Sequence, residues 1–386
     1  MNLALPADNP WATAALWMIL ATIAAFVATR AGLAAALIEI LIGVFAGNLI
    51  GLHSTVWIDF IAGFGSIMLT YLAGAEIDPK VLRAQLRPAV LIGMVSFFLP
   101  FLAALTYALL LVHWSAPAAK IAGVAMSTTS VAVVYAVMVE SRRAGTAFGQ
   151  LILAACFMTD LGTVVALGLL FANYNLWLVA LVVAIVVAIV TVPKLLGRIF
   201  AAPARVSEPG LRVLFAIILT LSAIATAARS EGVLPAYFLG LSCAGFLMSH
   251  SDVSRRLRSL TMGFLTPFYF IKAGSLISAS AALTTWPLIL ALFVVKLVAK
   301  IAGVWPVARI FGHSKQDSSY LTLMMATGLT FGTISSLYGL THGYITQAQY
   351  TALVTVVILT ALVPTLVAQA FFSPEQRVDE EALGVP

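Results

Sequence analysis

One aspartate, three lysines and two clusters of small polar residues carry the chemistry this sequence could do. Asp160 stands in an otherwise apolar run, Ala154-Ala155-Cys156-Phe157-Met158-Thr159-Asp160-Leu161-Gly162, and Lys272, Lys296 and Lys300 have similar surroundings further along. A charge at the centre of a bilayer costs at least ~2.5–3.5 kcal/mol, so each must face a partner or a wet cavity. A buried salt bridge that only fixes helix packing is one reading, but such a pair stabilises no better than apolar packing, which favours a chemical use. A carboxylate can take up a proton or a hard cation. Burial and a nearby ammonium act on its proton affinity in opposite senses, and a balance between them lets the two ligands compete. Asp160 is therefore the expected site for a proton or a monovalent metal cation, with Thr159, Thr129 and Ser130 as oxygen ligands. Lys300 and Lys272 are alternative charge partners for it. Lys296 lies four residues before Lys300 on the same helix face, but its stem can reach toward the outer surface.

The elements that must position these residues follow from composition. The chain has 386 residues, 62% hydrophobic and only 9% charged, far below the roughly 25% charge of soluble domains. Thirteen apolar runs are long enough to cross a bilayer as helices: 11–29, 33–51, 57–76, 89–112, 118–140, 146–172, 176–199, 211–228, 233–249, 260–280, 286–310, 318–340 and 347–372. The first lacks a basic leader and reads as a span, not a cleaved signal peptide. The expectation is an all-α polytopic protein forming a single membrane domain over 1–386, with a short cytoplasmic tail at 373–386. If the chain alternates sides, sixteen Lys and Arg residues fall on one face and only Lys120 and Arg229 on the other. That asymmetry puts the N-terminus outside and the C-terminus in the cytoplasm of a cell (inner) membrane.

Six spans (about 11–172), a linker span (176–199) and six more (211–372) make an inverted repeat. Corresponding spans 5 and 12 carry the polar clusters, Ser127-Thr128-Thr129-Ser130 and Thr327-Gly328-Leu329-Thr330, at mid-depth. Hydroxyls and glycine weaken helical continuity there, and unwound backbone is tolerated where it lines a protein cavity. Spans 5 and 12 are therefore expected to be discontinuous and crossed, with Ser127, Thr128, Thr327, Gly328 and Thr330 lining the break.

Other chemistries lack their signatures. There is no GxxxxGK[ST], HExxH, CxxC or GxSxG in the chain, and no basic stripe with interleaved aromatics for nucleic acid. Neither an enzyme activity nor a cofactor is expected. Cys156 and Cys243 lie inside apolar runs, as packing residues do. Gly43, Gly47 and Gly51 repeat at intervals of four and suit a close helix contact, within the chain or between two copies.

The order of several short motifs resembles the monovalent cation/proton antiporters of the Nap and Kef type, built on the thirteen-helix version of the Nha fold. They are Ile38-Glu39-Ile40-Leu41-Ile42-Gly43-Val44, Gly74-Ala75-Glu76-Ile77-Asp78, Thr129-Ser130-Val131, Thr159-Asp160-Leu161-Gly162 and Lys300-Ile301-Ala302-Gly303. The resemblance implies that Asp160 is the ion-binding aspartate, that Lys300 is the accompanying base, and that a core moves elevator-fashion against a dimerising domain in a homodimer. The sequence departs from many electrogenic relatives in having Thr159 where they carry a second acid. Lys272 stands where an apolar residue would be expected. The partners implied are H+, Na+ or K+, and membrane lipid. With one titratable carboxylate, exchange of one proton per cation would be electroneutral. The alternatives are a sodium-coupled symporter of an organic anion, held by the lysines and half-helix N-termini, and a non-transporting membrane sensor.

Overall fold

In hydrocarbon no water satisfies a backbone N–H or C=O, so long apolar runs must close their hydrogen bonds within themselves, as helices do. A computed structural model of the chain describes residues 9–31, 35–75, 86–140, 143, 146–171, 175–200, 208–228 and 232–372. Every element within them is helical: α1 (Pro10–Ala31), α2 (Ala35–Leu49), α3 (Val56–Ala75), α4 (Leu86–Thr106), α5 (Ala116–Ser127), α6 (Val131–Glu140), α7 (Ala147–Leu170), α8 (Leu176–Phe200) and α9 (Pro209–Ala227). They continue with α10 (Val233–Ser249), α11 (Ser251–Leu260), α12 (Thr266–Ser275), α13 (Ala279–Thr284), α14 (Trp286–Ile310), α15 (Lys315–Ala326), α16 (Thr330–Thr341) and α17 (Gln347–Phe371). A π-helical turn, Tyr107–Leu111, extends α4, and another, Thr261–Leu265, joins α11 to α12.

Among the described residues nine helical stretches are long and apolar enough to cross a membrane, and two shorter apolar helices, Ala35–Leu49 and Val233–Ser249, accompany them. All thirteen predicted runs fall on helix. The largest boundary difference is at the run predicted over 260–280, where helix begins at Ser251 and ends at Ser275. Hydropathy marks only the apolar part of a helix. The polar stretch before it, with Asp252 in its first turn, suits the positive end of the helix dipole and extends the helix. The cations Lys80, Arg83, Arg142, Arg205, Arg229 and Arg377, the acids Glu76 and Asp78, and the tail 373–386 lie outside the described residues.

The helices pack in two groups. In one, α2 lies on α12 and α3 on α10, with α1, α8 and α9 alongside. Glycine makes these contacts possible: a Cβ on Gly43 would lie 2.2 Å from the Ile271 carbonyl oxygen, and one on Gly274 2.0 Å from that of Ile40. Gly74 and Gly240 do the same between α3 and α10, so backbones approach as closely as small residues allow. The glycines of α2 thus serve a contact within the chain. Along α8, Val182, Val183, Val186, Val187 and Val190 are all more than half exposed, an outward apolar face suited to hydrocarbon. The second group contains α4 to α7 and α14 to α17. Tyr237 of α10 joins the two, stacking on Phe157 of α7 and donating its hydroxyl to the Phe157 carbonyl (3.3 Å).

Candidate functional site

The second group is built around two interruptions. At the end of α5 the Ser127 hydroxyl donates to Val124 O (2.7 Å) and that of Thr128 to Ala125 O (3.0 Å). Side chains that bond back to carbonyls offer the backbone an alternative to the next helical turn. Thr128 then turns extended (φ −65°, ψ 151°), and α6 starts at Val131. At the end of α15 the Thr327 hydroxyl donates to Met324 O (2.8 Å), Thr327 is extended (φ −63°, ψ 130°), and Gly328 follows before α16 starts at Thr330.

The two breaks lie against each other. The Ser130 N–H donates to Thr327 O (2.9 Å), and the Thr129 hydroxyl donates to Met325 O (2.8 Å). Buried backbone groups released by one interruption are thereby satisfied by the other. Ser127, Thr128, Thr129, Ser130 and Thr327 are fully buried, and Thr330 nearly so.

Asp160, on α7, is 2% exposed, and its Oδ1 is buried with no hydrogen-bond partner among the described residues. A carboxylate oxygen shut away without a donor costs the full desolvation of that group unless something arrives to satisfy it. Thr159 turns its hydroxyl to the Cys156 carbonyl (2.6 Å), and Thr163 turns its own to Thr159 O (2.9 Å). Thr159, Thr129 and Ser130 are not hydrogen-bonded to the Asp160 carboxylate. The Thr159 and Thr129 hydroxyls are used as donors, the Thr129 oxygen also accepts from Lys300, and the Ser130 oxygen accepts from Val133 N–H (3.4 Å), so each oxygen keeps at least one lone pair.

The α14 lysines are both fully buried. Lys300 donates to Ser96 Oγ (2.7 Å), Ser127 O (3.0 Å) and Thr129 Oγ1 (3.1 Å). An ammonium has three donors, so Lys300 is saturated by α4 and the end of α5. No ion-pair contact joins it to Asp160 among the described residues. Lys296, which could have turned outward, is instead buried, donating to Thr360 Oγ1 (3.3 Å) on α17 beside Gly328. Lys272 lies elsewhere: its ammonium is 2.7 Å from Asp59 Oδ1 at the start of α3. Asp59, Ser96 and Thr360 have no sequence signal that singles them out. The first lies at a span end, and the others are isolated hydroxyls in apolar runs.

The candidate set is one carboxylate with an orphaned oxygen, on a helix that packs against α5, α6, α15 and α16, together with a lysine whose donors are already used. Such a set suits a proton or a desolvated alkali cation, both of which satisfy a carboxylate oxygen without bringing a donor side chain.

Comparison with known proteins gives the same direction. The chain is 22% identical over 378 residues to the Na(+)/H(+)-K(+) antiporter GerN of Bacillus cereus, covering 94% of this chain and 97% of that protein. It is 26% identical over 377 residues to the Na(+)/H(+) antiporter NhaS4 of Synechocystis sp., covering 87% and 90% respectively. The solved sodium proton antiporter MjNhaP1 from Methanocaldococcus jannaschii has the same fold, with a TM-score of 0.70 at 16% identity over 93% of this chain and 98% of that one. The family described as sodium/hydrogen exchanger, transmembrane, matches residues 18–373, and the chain belongs to it.

Proposed function

We propose that this protein exchanges protons for a monovalent cation, Na+ or K+, across the membrane by alternating access, with the two ions competing for Asp160. The observation that carries this reading is the Asp160 carboxylate: buried in a long apolar helix, with Oδ1 lacking any donor, next to two interrupted helices. A proton or a cation neutralises the carboxylate, and only the neutral site moves across the hydrocarbon at tolerable cost. Because the two ions need the same oxygens, each must leave before the other binds, and exchange is obligatory. Sodium is supported by the relatives that are Na(+)/H(+) antiporters, and potassium by GerN, a Na(+)/H(+)-K(+) antiporter.

The supporting architecture is thirteen spans in a six-plus-six inverted repeat, with α8 as the linker. The breaks at 128–130 and 327–329 would cross at the level of Asp160, and Thr129, Ser130 and Thr159 would lend oxygens to the bound cation. The N-terminus lies outside and the C-terminus in the cytoplasm of the inner membrane, and two copies form a homodimer whose core groups move elevator-fashion. With one competing carboxylate, exchange of one proton per cation is electroneutral. Cation-dependent ΔpH in proteoliposomes tests both parts: Asp160→Asn should abolish exchange, and a wild-type rate that follows an imposed potential would refute electroneutrality.

A further inference from the structure

Lys296 has no part in the exchange just proposed, although it is as deeply buried as Lys300. The geometry points to Lys296 as a positioning residue for the cation site, its ammonium acting as a tethered cation seated in the α15–α16 break. This inference rests on the exchange reading at Asp160.

The seat is built from three sides. A Cβ placed on Gly328 would lie 2.4 Å from Lys296 Nζ, 3.2 Å from Thr128 Oγ1 and 3.3 Å from Thr360 Oγ1. The ammonium therefore occupies the space that any other residue at 328 would fill, between a hydroxyl at the end of α5 and one on α17. It donates to the Thr360 hydroxyl, whose own proton goes to Val357 O (2.9 Å). The location has an electrostatic reason. The break follows the carbonyl end of α15, where unpaired C=O groups concentrate negative partial charge and favour a cation. Lys300 does the equivalent for α5 by donating directly to Ser127 O. Four residues apart on one face of α14, the two lysines each serve one of the two breaks.

Displacing the Lys296 ammonium would be felt at the cation site through a short chain of contacts. The backbone beside it carries Thr327 O, which receives the Ser130 N–H, and α15 carries Met325 O, which receives the Thr129 hydroxyl. Thr129 in turn accepts from Lys300. Thr129 and Ser130 are the residues proposed to lend oxygens beside Asp160, so a shifted break misplaces ligands and weakens cation binding.

The test uses the full chain in proteoliposomes and measures cation-dependent exchange against Na+ concentration for wild type, Asp160→Asn, Lys296→Met, Gly328→Ala and the Lys296→Met/Gly328→Ala double variant. Gly328→Ala keeps the lysine but puts a methyl group in the ammonium's place, so it carries the test even where Lys296→Met does not assemble. Lys296→Met and Gly328→Ala should each raise the apparent KM for Na+ about tenfold with the maximal rate within about twofold, the pattern of lost binding and not of lost translocation, whereas Asp160→Asn should show no exchange. The double variant should be no worse than the poorer single, since both changes empty the same seat. An unchanged KM in Gly328→Ala, a fall in maximal rate at constant KM, or additive effects in the double variant would overturn the inference. A silent wild type or an active Asp160→Asn would instead overturn the exchange reading beneath it.

Discussion

The Asp59–Lys272 pair and the Asp160–Lys300 centre contain the same two residue types and are built in opposite ways. In the first, the groups touch at 2.7 Å near the start of α3, with the Asp59 side chain about half exposed. In the second, the lysine is fully buried and its donors go to Ser96, Ser127 and Thr129, while the aspartate keeps an oxygen with no partner. A contact pair neutralises its own charges and has little left to offer a ligand. Holding acid and base apart in the interior is costly, and leaves the carboxylate available. On the exchange reading proposed above, a charge in a membrane helix is available to a ligand where its partner has been kept away.

Variants can break or sharpen this contrast. The largest effect is expected from Asp160→Asn, which retains shape but cannot release a proton. Cation-dependent ΔpH should vanish, and surviving exchange would put the two centres on an equal footing. Lys300→Met comes next. It leaves the Ser127 carbonyl and the Thr129 hydroxyl without their donor, at about 1–3 kcal/mol for each unsatisfied group. Thr129, proposed to lend an oxygen beside Asp160, is thereby misplaced, and the exchange rate is expected to fall at least about tenfold. Gly274→Ala probes the packing of the other helix group, because its methyl would meet the Ile40 carbonyl oxygen at 2.0 Å. It should lower thermal stability in detergent by about 1–3 kcal/mol through overpacking, seen as an earlier unfolding transition. The smallest effect belongs to Lys272→Met: a partly exposed pair contributes about 0–1 kcal/mol, and the exchange rate should stay within about twofold. A loss as large as that of Lys300→Met would make Lys272 the partner that matters to Asp160.

Much of this was legible in the chain because membranes impose simple rules. Apolar runs of bilayer length were visible from Trp11 to Phe372, and within the described residues each overlaps helix, the runs 118–140 and 318–340 being split in two. The interruptions at 128–130 and 327–329 were legible because hydroxyls and glycine stand where apolar residues would otherwise continue. The role of Lys296 was not. Its spacing from Lys300 puts both on one face, but whether a long stem snorkels outward or folds into a glycine-floored seat depends on residues of other helices, more distant along the chain than any helical spacing rule reaches. Gly328 and Thr360 supply that seat, the first from the break between α15 and α16 and the second from α17.

The same division holds for the whole protein. Sequence alone determined which segments are helical and where they weaken, and that Asp160 is a deep acid, since these depend on local hydrophobicity and on the cost of charge in hydrocarbon. Only the tertiary structure decided how the charges are partnered. It gave Lys272 to Asp59, Lys300 to the end of α5 and Lys296 to the second break, and left one oxygen of Asp160 unclaimed. Electrostatic and hydrogen-bond partnerships act over a few ångströms in space, and no spacing along the chain fixes which side chains will share that distance.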